Sequence, residues 1–256
     1  MDSLARDKAE TVTTSLNYLQ PMAGRPVSYT FEPPPGTPWR TGEYRPTSVA
    51  IRDGRARAGG SSLDENGFLL AHRPSVVADF YDEEAVRALY YPEVERLVGE
   101  LTGADKVVAF DHNLRSSAVP PGGADGIKEP VKRVHNDFTE LSGPRRAAEE
   151  LAARGLEAGE LLKRRFALVN LWRPIRGPVE DSPLAVCEAK SIAPRDLVAA
   201  DLVYRDRVGE TYSITYNPAH RWFYFPHMTR EEALLIKCFD SAVDGRTRFT
   251  AHSSFE

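Results

Sequence analysis

Phe166-Ala-Leu-Val-Asn-Leu-Trp-Arg173 opens a series of six β-type runs. It continues with Pro183-Leu-Ala-Val-Cys187, Leu197 to Tyr204, Thr211 to Tyr216, Arg221-Trp-Phe-Tyr-Phe225 and Ala233-Leu-Leu-Ile-Lys-Cys-Phe239. β-Branched and aromatic residues recur in these runs, and Pro, Gly, Asp and Asn punctuate them. Strands in that number and spacing predict a mainly β fold of the jelly-roll type rather than a parallel α/β sheet.

Upstream the pattern is mixed. Residues 1–60 are rich in Pro and Gly, with Glu32-Pro-Pro-Pro-Gly-Thr-Pro38 the extreme, and read as an extended arm wrapping a core that spans 61–256 in one domain. Short alternating segments, Ser48 to Arg52 and Gly67 to Ala71, flank a turn signal at Asp53-Gly54. Asp82 is an N-cap for Glu83 to Leu101, whose apolar residues Val86, Leu89, Tyr90, Val94, Leu97 and Leu101 follow the helical period; Pro92 should kink or split that helix and Gly103 ends it. Lys106 to His112 reads as a buried strand, Ser116 to Pro130 as a loop able to cover a site, and Pro144 as the opening of a second flanking helix.

With 256 residues, 41% of them hydrophobic, and a net charge of -4, the composition is that of a globular enzyme without the basic excess that nucleic acid or an anionic membrane would require. A small molecule is the expected partner. Cys187 and Cys238 sit in apolar runs as buried thiols, implying no disulfide framework. The opening residues carry charges throughout and resemble neither a secretory signal nor an anchor, so a cytoplasmic location is expected. No nucleotide-binding glycine fingerprint, zinc Cys/His pattern or nucleophile elbow occurs.

Chemistry concentrates at Arg133-Val-His-Asn-Asp-Phe138. In an extended strand His135 and Asp137 point to one face, supplying two members of a 2-His-1-carboxylate iron site that leaves coordination positions open. A third ligand must come from elsewhere. His72 and His112 precede the pair, whereas on this architecture the second histidine follows it; His220 lies in an Asn-Pro turn, and His227 follows Pro226 beside a capping-box pattern. His252 lies 115 residues beyond Asp137, after the last apolar run and the Gly245 turn, where a late strand can return to the pair. His220 stands as the alternative.

The chain resembles the AsaB-type hydroxylase/desaturase family, which includes CmcJ- and NvfI-like oxygenases. The matching segments include Gly67 to Ser75, Tyr90 to Glu95, Ala109-Phe-Asp-His112 with Arg115, Val134-His-Asn-Asp137, Asn170 to Ile175, Tyr216 to Pro226, Glu231 to Ser241, and His252 with Phe255. They run in order from about residue 60 to the end. The resemblance implies a cupin-like double-stranded β-helix that uses Fe(II), 2-oxoglutarate and O2 to hydroxylate, desaturate or cyclise a small natural-product or amino-acid-like substrate. It also implies His135, Asp137 and His252 as ligands. Family members continue past the His-x-x-Phe segment into an Arg-containing strand expected to anchor the distal carboxylate of 2-oxoglutarate. The sequence here ends at Glu256, which reads as a missing C-terminal segment, as anchoring by another cation, or as a protein that is not an active oxygenase.

Asn170, Trp172 and Arg173, at the end of a core run, are candidates for holding the co-substrate or bracing the ligands, with core packing and a structural ion pair as the plainer roles. Lys237, a cation in an apolar run, faces solvent by alternation or reaches a buried anion. Two other classes use the same histidines: a Zn-dependent hydrolase, though no general-base motif accompanies them, and a non-catalytic cupin-like small-molecule binder. Neither the reaction outcome nor the oligomeric state is encoded in a ligand triad.

Overall fold

The computed structural model describes residues 11–120 and 122–256; the reading of residues 1–10 falls outside them. In chain order the strands are β1 (Thr11–Leu19), β2 (Val27–Tyr29), β3 (Tyr44–Asp53) and β4 (Phe68–His72), then helices α1 (Glu83–Ala85) and α2 (Tyr91–Thr102). Short strands β5 (Leu114–Arg115), β6 (Ile127–Lys128) and β7 (His135–Asn136) lead to α3 (Ser142–Ala153) and α4 (Ala158–Leu161). The remainder is β8 (Ala167–Trp172), β9 (Leu184–Cys187), β10 (Leu197–Val203), β11 (Val208–Ile214), β12 (Trp222–Tyr224), β13 (Glu232–Asp240) and β14 (His252–Ser254). All six β-type runs of the C-terminal part form strands, and the fold is a mainly β jelly roll with flanking helices.

One sheet has nine strands in the order β1-β3-β12-β9-β14-β7-β11-β10-β2, and a second has three, β4-β13-β8. Bridges from Asn17 to Arg133 and from Leu19 to Thr215 bring β1 back against the β7–β11 region, so the large sheet curls on itself. Leu16, Tyr18, Ile51, Val134, Cys187, Ile214 and Trp222 fill the curl. Val186 and Phe223, on the opposite face of the same strands, pack against Phe68, Leu234, Ile236 and Cys238 of the small sheet. At ~1.5–3 kcal/mol for each fully buried large apolar side chain, these two clusters hold the layers together.

Three expectations change, and for Lys237 the buried-anion alternative holds. β1 and β3 pair antiparallel along nine residues and bury Leu16, Tyr18, Leu19 and Ile51, so much of the expected arm is integral sheet; its Pro/Gly-rich turns are confined to the segment between them. Segments 48–52 and 67–71 belong to different sheets. Residues 106–112 form no strand: Ala109 N–H donates to the Glu95 carboxylate and its carbonyl accepts from Arg154, so side chains take the place of a strand neighbour. Lys237 is 1% exposed, because β13 is the central strand of its sheet; its ammonium pairs with Asp64 and Asp240.

The helical reading holds with a refinement. The Asp82 carboxylate caps the N–H groups of Glu84 and Ala85, and Gly103 closes α2 at φ 70°. Just before Pro92 the chain takes a π-helical turn, Val86–Tyr90, which accommodates the absent N–H and the bulk of the proline ring.

Candidate metal centre

Strand order creates the site. β7 lies between β14 and β11, with His135 directly opposite His252 on one side and Ser213 on the other. His252 is in turn opposite Val186, so both histidines share the inner face that looks toward the small sheet. The imidazole centroids are 4.4 Å apart. Asp137, just past β7, places Oδ1 3.5 Å from His135 Nε2 and Oδ2 3.7 Å from His252 Nε2.

Ligand atoms of the three residues all lie within 4.8 Å of one another. Their supports leave the metal-binding atoms free. His135 Nδ1–H donates to the Arg133 carbonyl at 2.7 Å and His252 Nδ1 contacts the Thr250 carbonyl at 3.3 Å, which leaves both Nε2 atoms as acceptors aimed at Asp137. Asn170 Nδ2, from β8 of the facing sheet, donates to Asp137 Oδ2, and Cys238 Sγ lies 3.8 Å from the same oxygen.

Burial opposes ionisation of Asp137, but in acid, where the imidazoles carry protons, His135 and His252 together with the Asn170 hydrogen bond outweigh it and hold the carboxyl well below its usual range. Burial, with His135 next to it, pushes His252 down to about 4. One carboxylate and a neutral imidazole are the protonation states that a divalent cation requires. Two nitrogens and one oxygen, open on one side, match the donor set of non-haem Fe(II).

The triad opens on a cleft of about 4020 Å³ whose lining includes Arg115, Arg133, Phe138, Asn170 and Trp172. A site for one small molecule occupies ~300–1,000 Å³, so it takes only part of this space.

Other expected residues lie apart from the triad. His220 is buried between Tyr18 OH (3.0 Å) and Asp196 Oδ2 (3.1 Å), on the opposite side of the large sheet. His112 bonds Tyr91, and His227 is a turn residue at φ 50°. Trp172 is half-buried against the inter-sheet core. Arg173 is buried, with Nε on Tyr90 OH, Nη1 on the Arg230 carbonyl and Nη2 3.9 Å from Glu93, so its charge is directed to α2. Phe223 is core, and Tyr216 is exposed away from the cleft. Sequence reasoning passed over Arg133, although the period of two that aligns His135 with Asp137 aligns Arg133 with both.

The family description "Oxidoreductase/YMDC permease-like domain" matches residues 16–256. The hydroxylase/desaturase efuI of Hormonema carpetanum is 33% identical over 275 residues, covering 97% of this chain and 90% of that protein. The chain belongs to the AsaB-type hydroxylase/desaturase family. Within that family, the alpha-ketoglutarate-dependent dioxygenase phiK of Fungal sp. (strain ATCC 74256) is 34% identical, covering 81% of this chain and 76% of its own length. Among solved structures, the iron and alpha-ketoglutarate-dependent endoperoxidase NvfI superposes with a TM-score of 0.86 at 25% identity, over 98% of this chain and 91% of its own. The hydroxylase/desaturase family therefore accounts for the fold and for most of the chain's length.

Proposed function

We propose that this chain is a non-haem Fe(II)/2-oxoglutarate-dependent oxygenase in which His135, Asp137 and His252 hold the iron. One observation carries the reading: two Nε2 atoms and a carboxylate, from positions up to 117 residues apart between His135 and His252, converge within 4.8 Å on the inner face of a jelly roll. The names of its relatives agree with oxygenase chemistry and not with zinc hydrolysis.

When bound, Fe(II) with 2-oxoglutarate and O2 supplies the oxidising power that removes hydrogen from a substrate C–H group. The chain's own residues prepare for it. The Arg133 and Thr250 carbonyls keep each imidazole in the Nε2-binding tautomer, Asn170 holds one oxygen of Asp137, and Phe138 and Trp172 supply apolar wall to the cleft. Arg173 acts at a distance in this reading, bracing β8 against α2.

The expected substrate is a small natural product, handled in the cytoplasm by a single domain. A net charge of -4 gives no attraction to nucleic acid or anionic membrane, and among the described residues no helix is long and apolar enough to cross a membrane.

Anaerobic addition of Fe(II) and 2-oxoglutarate tests the assignment. A weak visible charge-transfer band is expected for the wild type and for His220→Ala, and no band for His135→Ala, Asp137→Ala or His252→Ala. A band that survives in the triad variants refutes the ligand set.

A further inference from the structure

Two guanidinium groups near the triad have work that the ligand set does not explain. Arg133 precedes His135 by two residues, about 6.6 Å along an extended strand and on the same face. Its position is held: the backbone bridges to Asn17, and the guanidinium lies 5.6 Å from the Tyr44 ring centre. The Tyr44 hydroxyl bonds Ser213 Oγ at 2.7 Å, and Ser213 is the strand partner of His135. Arg115, at the end of β5, opens on the same cleft and donates Nη1–H to the Glu129 carbonyl at 2.7 Å.

Among the described residues neither guanidinium forms an ion pair with a carboxylate, although ion pairs engage Arg25, Arg55, Arg165, Arg246 and Arg248 elsewhere in this acidic chain. Each stands within electrostatic reach of the other and of Glu129, and Arg115 is also within reach of Asp137 and His252. Fe(II) at the triad would leave one uncompensated positive charge after Asp137, next to two more from the arginines. Like charges gathered in a partly desolvated cleft are costly unless an anion joins them. Glu129, within electrostatic reach of both arginines, answers one of these three charges, and a dianion with one carboxylate at the metal and one at the arginines would balance the other two.

We infer that Arg115 and Arg133 form the carboxylate site that receives the distal end of the 2-oxo acid co-substrate. The inference rests on the oxygenase reading above. Guanidinium is suited to this role because it stays charged and presents paired N–H donors to a carboxylate.

The test compares 2-oxoglutarate with 2-oxobutanoate, which has the same 2-oxo acid head and no distal carboxylate. Each is titrated anaerobically into the Fe(II)-loaded protein, with the charge-transfer band as the readout, so that no turnover is needed. The wild type should prefer 2-oxoglutarate by about tenfold or more, as expected for a charge-assisted pair. Arg115→Gln and Arg133→Gln should each lose part of this preference and the double variant nearly all of it, with 2-oxobutanoate binding unchanged; Arg115→Lys should restore part. Unchanged 2-oxobutanoate binding also reports a folded, metal-loaded site. The inference is overturned if the double variant keeps the wild-type preference. Absence of a band with either acid in the wild type would instead remove the oxygenase reading, and this site with it.

Discussion

Replacing Asn170 with Ala removes a single hydrogen bond, the one that Nδ2 donates to Asp137 Oδ2 from the facing sheet. A hydrogen bond to a charged acceptor contributes ~1.5–3 kcal/mol net. The Asp137 side chain is 32% exposed, so water recovers part of the loss and the lower end applies. About 1.4 kcal/mol corresponds to a tenfold change in a binding constant, which agrees with the ~10–100-fold cost of removing a group that supports a metal ligand. Metal affinity of Asn170→Ala should therefore fall about tenfold, with the thermal midpoint of the metal-free protein nearly unchanged. Asn170→Asp should lose more, because two carboxylates would then share the site and disfavour each other's ionisation. Competition with a chromophoric chelator for Mn(II) or Fe(II), under anaerobic conditions, measures the affinity. Wild-type affinity in Asn170→Ala, alongside lost binding in His135→Ala, would refute the argument that Asn170 positions the carboxylate.

Gly67 sits at φ +88°, where an added Cβ would run into the Thr250 hydroxyl, which itself donates to the Gly67 carbonyl. Gly67→Ala should cost ~3 kcal/mol in urea unfolding, from left-handed backbone strain plus overpacking, and should weaken metal binding because Thr250 also contacts His252. Lys237→Met leaves the fully buried Asp240 with Arg165 as its remaining cation, so a loss of ~3 kcal/mol in urea unfolding is expected, with Lys237→Met plus Asp240→Leu less damaging than the single change. Burial lowers the His220 pKa despite Asp196. The unfolded chain therefore takes up this proton before the folded one does, and the metal-free protein should lose stability as pH falls through ~6.5, by at most ~1.4 kcal/mol per pH unit for this group. Urea unfolding of the metal-free protein at a series of pH values should give a shallower dependence for His220→Gln; an identical slope would exclude His220 as the source.

Much of this protein is set locally. Apolar β-type runs bounded by turn residues mark each strand from β8 to β13, Asp82 and Gly103 mark the ends of a helix that Pro92 distorts, and His135 and Asp137 share a face because a strand repeats every two residues. Those properties follow from sterics and hydrogen bonding within a few residues, so the sequence by itself determined them. Which histidine completes the triad is decided by strand order: β14 lies beside β7 and puts His252 opposite His135, while His220 is drawn to Asp196 and Tyr18 on the other side of the sheet. The burial of Lys237, the side-chain anchoring of residues 106–112 in place of a strand, and the approach of Arg115 to Arg133 likewise depend on neighbours far away in sequence. Only the tertiary structure decided these features, because local periodicity sets which way a side chain points and long-range packing sets what it meets.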